Sequence, residues 1–112
     1  MDCVFCKIAA GDIPAKKLYE DEHALAFADL DPQAPVHILL IPRKHIQSLA
    51  HLAPGDEAVL GHLLVVAKQV AEDTGLHNGF RTVMNTGSDG GQTVGHLHVH
   101  VLGGRAFGWP PG

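Results

Sequence analysis

Between Gly95 and Leu102 the chain alternates histidine with aliphatic residues: His96, Leu97, His98, Val99, His100, Val101. A period of two belongs to an extended strand and not to a helix. Read as a strand, Gly95 to Leu102 puts three imidazoles on one face. Leu97, Val99 and Val101 then point to the other face, where they anchor the strand on a core. Same-side residues on a strand stand roughly 7 Å apart, so the rings are expected to line a groove without stacking on each other. The stretch just before, NTGSDGG from Asn85, carries a glycine-rich loop at Gly87 to Gly91. Such a loop can turn several backbone N–H groups toward one anion. A row of imidazoles beside an anion-binding loop points to chemistry on a phosphate.

The rest of the composition narrows the partners. The chain has 112 residues, 46% of them hydrophobic, which suits one globular domain spanning 1–112 with a modest core. Its net charge is -4, from 12 acids against 8 Lys and Arg. With no basic run, a duplex nucleic acid is not expected as a partner; a single nucleotide needs only a few donors. No apolar run approaches the ~20 residues of a membrane span. MDCVFCKI lacks the charged and apolar regions of a secretion signal, so a cytoplasmic protein is expected. In that compartment Cys3 and Cys6 read as a metal pair or free thiols, not as a disulfide.

The elements follow in order. Cys3 to Ala10 reads as a short helix stopped by Gly11. Lys16–Glu20 and His23–Leu30 read as strands joined at Asp21-Glu22. In the second, Leu25, Phe27 and Asp29 share one face and Ala24, Ala26 and Ala28 the other. Asp31 to Pro35 is a loop, because its prolines break any ladder. Val36–Ile41 is the most apolar strand, with His37, Leu39 and Ile41 on one side. Residues 46–53 are ambiguous. A long helix is expected from Pro54, with Asp56 and Glu57 in its first turn. Its apolar stripe is Val59, Leu60, Leu63, Leu64, Ala67, Val70 and Ala71, and Gly75 stops it. A fourth strand, Gly79–Asn85, precedes the glycine loop and the histidine strand. The tail GGRAFGWPPG is irregular, and its Phe107 and Trp109 call for burial, against another subunit for example. This order predicts an α+β fold: a five-stranded antiparallel sheet with one long and one short helix, the long one covering one face.

Three readings of the histidine row are open on residue chemistry alone. It is a solvated polar face, a catalytic metal site, or a nucleophile acting at phosphorus. The metal reading lacks a carboxylate C-terminal of His100 to complete it. A neutral imidazole, whose unperturbed pKa is ~6.5, is nucleophilic at pH 7 and forms a reactive phosphohistidine. The other histidines, His23, His51, His62 and His77, read as surface or packing residues. His37, on an aliphatic strand, reads by itself as a satisfied buried histidine.

GGQTVGHLHVHVLGG resembles the signature of the histidine triad (HIT) superfamily, here His96-Leu97-His98-Val99-His100-Val101-Leu102. The resemblance runs through IPAKKLYEDEHALAFADLDPQAPVHILLIPRKHI and GSDGGQTVGH to the final WPPG, an ending similar to that of the Hint branch, the purine nucleoside phosphoramidases. It implies a HIT-like fold and the hydrolysis of purine nucleoside 5′-phosphoramidates to AMP or GMP. His98 matches the nucleophile, His100 the phosphate-contacting histidine, His37 the fourth active-site histidine and His96 the supporting first member of the triad. Asn85, Gly91, Gln92 and Thr93 match the phosphate loop, with Thr93 where many Hint members carry serine. Asp29 matches the ribose acid, and Phe27, Leu30, Leu18 and Tyr19 match the base pocket. The family's alternatives are cleavage of dinucleoside polyphosphates and nucleotide-binding regulation with incidental catalysis.

The resemblance also implies a structural zinc at Cys3, Cys6, His45 and His96, with no catalytic cofactor. It further implies a two-fold homodimer, in which the helix and one sheet edge pair and Trp109 reaches toward the partner's active site.

Overall fold

The computed structural model describes residues 3–112. Seven elements account for its regular structure, apart from one 3-10 turn at Leu49–His51. They are α1 (Val4–Ala10), β1 (Lys17–Glu20), β2 (Ala24–Ala28), β3 (Val36–Pro42), α2 (Glu57–Asp73), β4 (Phe80–Val83) and β5 (Val99–Gly103). The strands form one sheet in the order β1-β2-β3-β5-β4, and every neighbouring pair is antiparallel. The expected α+β architecture, with five antiparallel strands and two helices, is the observed one.

Alternation sorts the strand residues onto two cores. Ala24, Ala26, Ile38, Leu40, Leu97, Val99 and Val101 pack with Leu63, Val66, Ala67 and Val70 of α2. Leu25, Phe27, Leu39 and Ile41 face the other way and pack with Cys3, Phe5 and Ile8 around α1. Each fully buried aliphatic side chain contributes about 1.5–3 kcal/mol relative to exposure. Small residues on one face of β2 let α2 lie close, while larger ones on its other face fill the space under the seven-residue helix.

Several boundaries differ from the sequence expectation, each for a local reason. Cys3 does not enter α1 but caps it, its sulfur accepting the Cys6 N–H. Gly11, with φ 83°, ends that helix as expected. Helix α2 begins at Glu57, because Gly55 adopts φ 96° and Asp56 uses its carboxylate on the Ala53 N–H and on Lys44. Pro54 is therefore in the preceding turn. Leu64 of the expected stripe is 56% exposed, and Val66 is buried instead. Strand β2 stops at Ala28, although the Asp29 N–H still donates to the His37 carbonyl. Strand β5 begins only at Val99: ahead of it, the Leu97 N–H is bonded to the Ile46 carbonyl and the His96 carbonyl accepts a side-chain donor. The faces still alternate, so His96, His98 and His100 fall on the α1 side.

Candidate active site and metal clasp

The α1 side of the sheet holds a cleft of about 280 Å³. Phe27, Asp29 and Leu30 line it from the end of β2, His98 and His100 from the histidine row, and Thr93 and Val94 from the loop. The third wall is α1 itself, through Val4, Phe5 and Ile8. Sequence reasoning missed this wall; positions 4, 5 and 8 are helical neighbours, but nothing local says that the helix crosses under the histidines. Leu18 and Tyr19 lie elsewhere. They pack on the α2-side core, and the Tyr19 hydroxyl donates to Asp21 at 2.7 Å. Leu30 is at the mouth of the cleft and 99% exposed.

The glycine loop is braced within itself. Gly91 donates its N–H to the Ser88 carbonyl at 3.1 Å, and Gln92 its N–H to the Gly87 carbonyl at 3.0 Å. The Gln92 amide oxygen accepts the Gly87 N–H at 3.1 Å, while its nitrogen donates to the carbonyls of Gln47 and Val94 at 2.8 and 3.0 Å. The N–H groups of Gly87, Gly91 and Gln92 are thus spent inside the loop. Gln92 sets the loop's shape, and Thr93, which carries a hydroxyl, lines the cleft. Gly90 lies against the Thr86 backbone so closely that any β-carbon would overlap it. Asn85 is half-buried between β4 and the loop and does not line the cleft.

The hydrogen bonds assign the imidazole protons. His98 is buried, and its Nδ1 lies 2.7 Å from the His96 carbonyl oxygen. A carbonyl only accepts, so Nδ1 carries the proton and Nε2 keeps its lone pair. The Gln33 N–H donates to His37 Nδ1 at 3.0 Å, so neutral His37 is protonated on Nε2. That Nε2 is 2.8 Å from His100 Nδ1 and 3.4 Å from an Asp29 carboxylate oxygen. His100 therefore accepts on Nδ1 and carries its proton on Nε2. Burial, reinforced by His98 and His37, pushes the His100 pKa down to about 4. The rings do not stand apart as the strand spacing predicted: His98 and His100 have centroids 5.0 Å apart at 65°, because the side chains lean together.

Among the described residues, two groups of side chains bring metal-ligating atoms within 4.8 Å of one another. The first is Cys3, Cys6, His45 and His96. His96 Nδ1 is 3.2 Å from Cys3 Sγ, 3.5 Å from Cys6 Sγ and 3.2 Å from His45 Nδ1, and Cys6 Sγ is 3.3 Å from His45 Nδ1. These approach the ~3.3–3.6 Å edges of a tetrahedron with Zn–N of ~2.0–2.1 Å and Zn–S of ~2.3 Å. His96 donates Nε2–H to the Pro42 carbonyl at 2.9 Å, which leaves Nδ1 a lone pair for a metal, and burial lowers its pKa. Both cysteines are free thiols, and burial raises that of Cys6. The donor set fits a tetrahedral ion. The second group, Asp29, His37 and His100, does not fit one. The rear nitrogen of His37 accepts a hydrogen bond instead of donating one, so its front nitrogen needs its proton.

A larger cavity, about 500 Å³, lies at the start of α2. Its cations are already engaged: Arg43 with Glu20 and the carbonyls of Asp21 and Ala9, Lys44 with Asp56. His62, on its wall, is bonded to Asp21 at 2.6 Å, and His51 Nδ1 lies 2.6 Å from the Ser48 hydroxyl. His62 is half-buried and His51 is exposed. Phe107 in the tail is half-buried on its own chain, with the Arg81 and Arg105 guanidiniums 5.1 and 4.2 Å from its ring. Trp109 is 84% exposed.

A fold with this sheet order, this cleft and a histidine row along its floor defines a class, and sequence comparison defines the same one. The HIT domain model matches residues 10–107. An uncharacterized HIT-like protein of Synechocystis sp. is 56% identical over 111 residues, 99% of this chain and 97% of that protein. The crystal structure of a HIT family hydrolase from Legionella pneumophila superposes with a TM-score of 0.96 at 49% identity, covering 99% of this chain and all of that one. A histidine triad nucleotide-binding protein from Candida albicans superposes at 0.84 with 31% identity, covering 97% of this chain and 83% of that one. The chain belongs to the HIT family.

Proposed function

We propose that this protein hydrolyses the P–N bond of purine nucleoside 5′-phosphoramidates through a nucleotidyl-His98 intermediate. The observation that carries the reading is the bond from His98 Nδ1–H to the His96 carbonyl, because it leaves an unprotonated Nε2 at the cleft. In the first step the Nε2 lone pair forms a bond to the α-phosphorus. The P–N bond breaks, its electron pair stays on nitrogen, and the amine leaves after taking a proton from solvent water. In the second step water attacks phosphorus and returns a proton to solvent, the N–P bond breaks with its electrons returning to His98 Nε2, and AMP or GMP departs. His100 Nε2–H and the Thr93 hydroxyl are the donors assigned to the phosphoryl oxygens. Asp29 would accept the ribose hydroxyls, with Phe27 and Leu30 against the base. The hydrolase and nucleotide-binding descriptions of two matched structures support this class of activity.

The clasp is assigned a structural zinc. Bound there, the ion would hold Cys3, Cys6, His45 and His96 together as a rigid corner; it is given no part in the reaction. A homodimer is also part of the reading. Leu64 and Val65 leave apolar surface on α2, Phe80 lies 42% exposed on the edge strand β4, and the exposed Trp109 is assigned to a partner's leaving-group side. No helix is long and apolar enough to cross a membrane among the described residues, and a cytoplasmic location is proposed.

The test is kinetic. With adenosine 5′-phosphoramidate and a dinucleoside polyphosphate offered to the same preparation, the phosphoramidate should be turned over with the higher kcat/KM. A preference for the polyphosphate would replace the substrate class, and background rates on both would favour a nucleotide-binding regulator.

A further inference from the structure

Helix α1 joins the metal clasp to the nucleophile through one side chain. Phe5 stands between Cys3 and Cys6 in sequence and is buried. Its ring meets His98 edge-on, with centroids 5.2 Å apart at 85°, and it contacts His96 at 5.9 Å and Phe27 at 5.5 Å, both at 71°. The helix cannot slide at either end. Its N-terminal thiols face His45 and His96, and the Ala9 carbonyl accepts Arg43 Nη1–H at 2.9 Å.

The hydrogen bond of His98 to the His96 carbonyl fixes which nitrogen is free, but a single bond from Nδ1 leaves the ring able to rock about that contact. Phe5 and His100 are the two rings that meet it, at 5.2 and 5.0 Å, and they limit the rocking. Aromatic pairs at these separations prefer edge-to-face geometry. Nε2 must reach phosphorus in line, and a misplacement of about 1 Å can cost ~10²-fold in rate. We propose that Phe5 is a positioning residue for His98. The inference rests on His98 being the attacking group.

Phe5→Leu and Phe5→Met keep an apolar wall and remove the ring; Phe5→Tyr keeps the ring. On the phosphoramidate, the first two should lose roughly 10- to 100-fold in kcat with KM within about threefold of wild type. Phe5→Tyr should restore most of the loss. Zinc content should stay at the wild-type level in all three. In long-range proton–nitrogen spectra, His98 should keep its Nδ1–H tautomer in each variant, with its resonances broadened only where the ring is gone. A rise in KM at unchanged kcat would make Phe5 a cleft wall only and overturn the proposal, as would equal kcat in all variants, or a kcat loss that tracks lost zinc. A wild-type protein without nucleotidyl-transfer activity would overturn the functional reading instead, whatever the Phe5 variants do.

Discussion

His96 and His100 stand four residues apart on one row, and their rear contacts set them to different tasks. His96 gives its Nε2–H to a carbonyl, which turns a lone pair on Nδ1 toward two thiols and a second imidazole. His100 accepts a hydrogen bond on Nδ1 from His37 Nε2–H, and the rear nitrogen of His37 accepts from the Gln33 backbone, so the outer nitrogen of His100 is a donor. In the proposed reading, a backbone acceptor behind the ring suits His96 to ligate a metal. A donor at the end of the chain behind it suits His100 to offer its proton to an anion. His98 lies between them and borrows from both, its tautomer from the His96 carbonyl and a ring neighbour from His100.

The sharpest way to break this comparison is to remove the member that belongs to neither cluster. His98→Ala should lower turnover on the order of 10⁴-fold or more, as nucleophile deletions do, while metal content and nucleoside monophosphate binding remain. Retained turnover would show that another imidazole carries the chemistry. Next comes the clasp. Cys6→Ser should lose the metal and the stability that it supplies. With metal at 100 times its Kd that is ~2.7 kcal/mol, or about 10 °C in Tm for a chain of this size. Chelation of the wild type should reproduce the fall, and an unchanged Tm with no zinc in the purified protein would dismiss the metal.

At the anion side, Thr93→Val should cost on the order of a hundredfold in kcat, since it removes one donor to developing charge. Thr93→Ser should recover it, and equal rates in both variants would take the hydroxyl out of the site. The smallest effect is a titration. His100 has a folded pKa of about 4 against 6.5 for the free group. The folded chain therefore binds less proton there than the unfolded chain, and this contribution to stability is complete above pH 6.5 and is lost as pH falls toward 4. Nuclear magnetic resonance should place the His100 midpoint near 4, and a midpoint near 6.5 would mean that burial beside His98 and His37 does not hold it neutral.

The sequence made the faces legible more readily than the contacts across them. The alternation of β2 and of the histidine row assigned Ala24, Ala26, Leu97, Val99 and Val101 to one core and Leu25 and Phe27 to the other. Strand ends were less legible. Gly55 with positive φ, and a histidine carbonyl taken by the next histidine, are three-dimensional facts that composition does not carry. The Cys3, Cys6, His45 and His96 grouping came from resemblance, and the structure brings those four together. The proton assignment of His37, the self-bracing of Gln92 and the α1 wall depend on residues such as Gln33, Gln47 and Phe5, whose types suggest nothing in isolation.

The central claim concerns one nitrogen atom. The protein should be mixed with excess phosphoramidate, quenched in alkali within the first turnover, digested, and its peptides fragmented by mass spectrometry. The account predicts one nucleoside monophosphoryl group, acid-labile, on the imidazole of His98. The same mass on His96, His100 or His37, or no adduct at any time during demonstrable turnover, would contradict it.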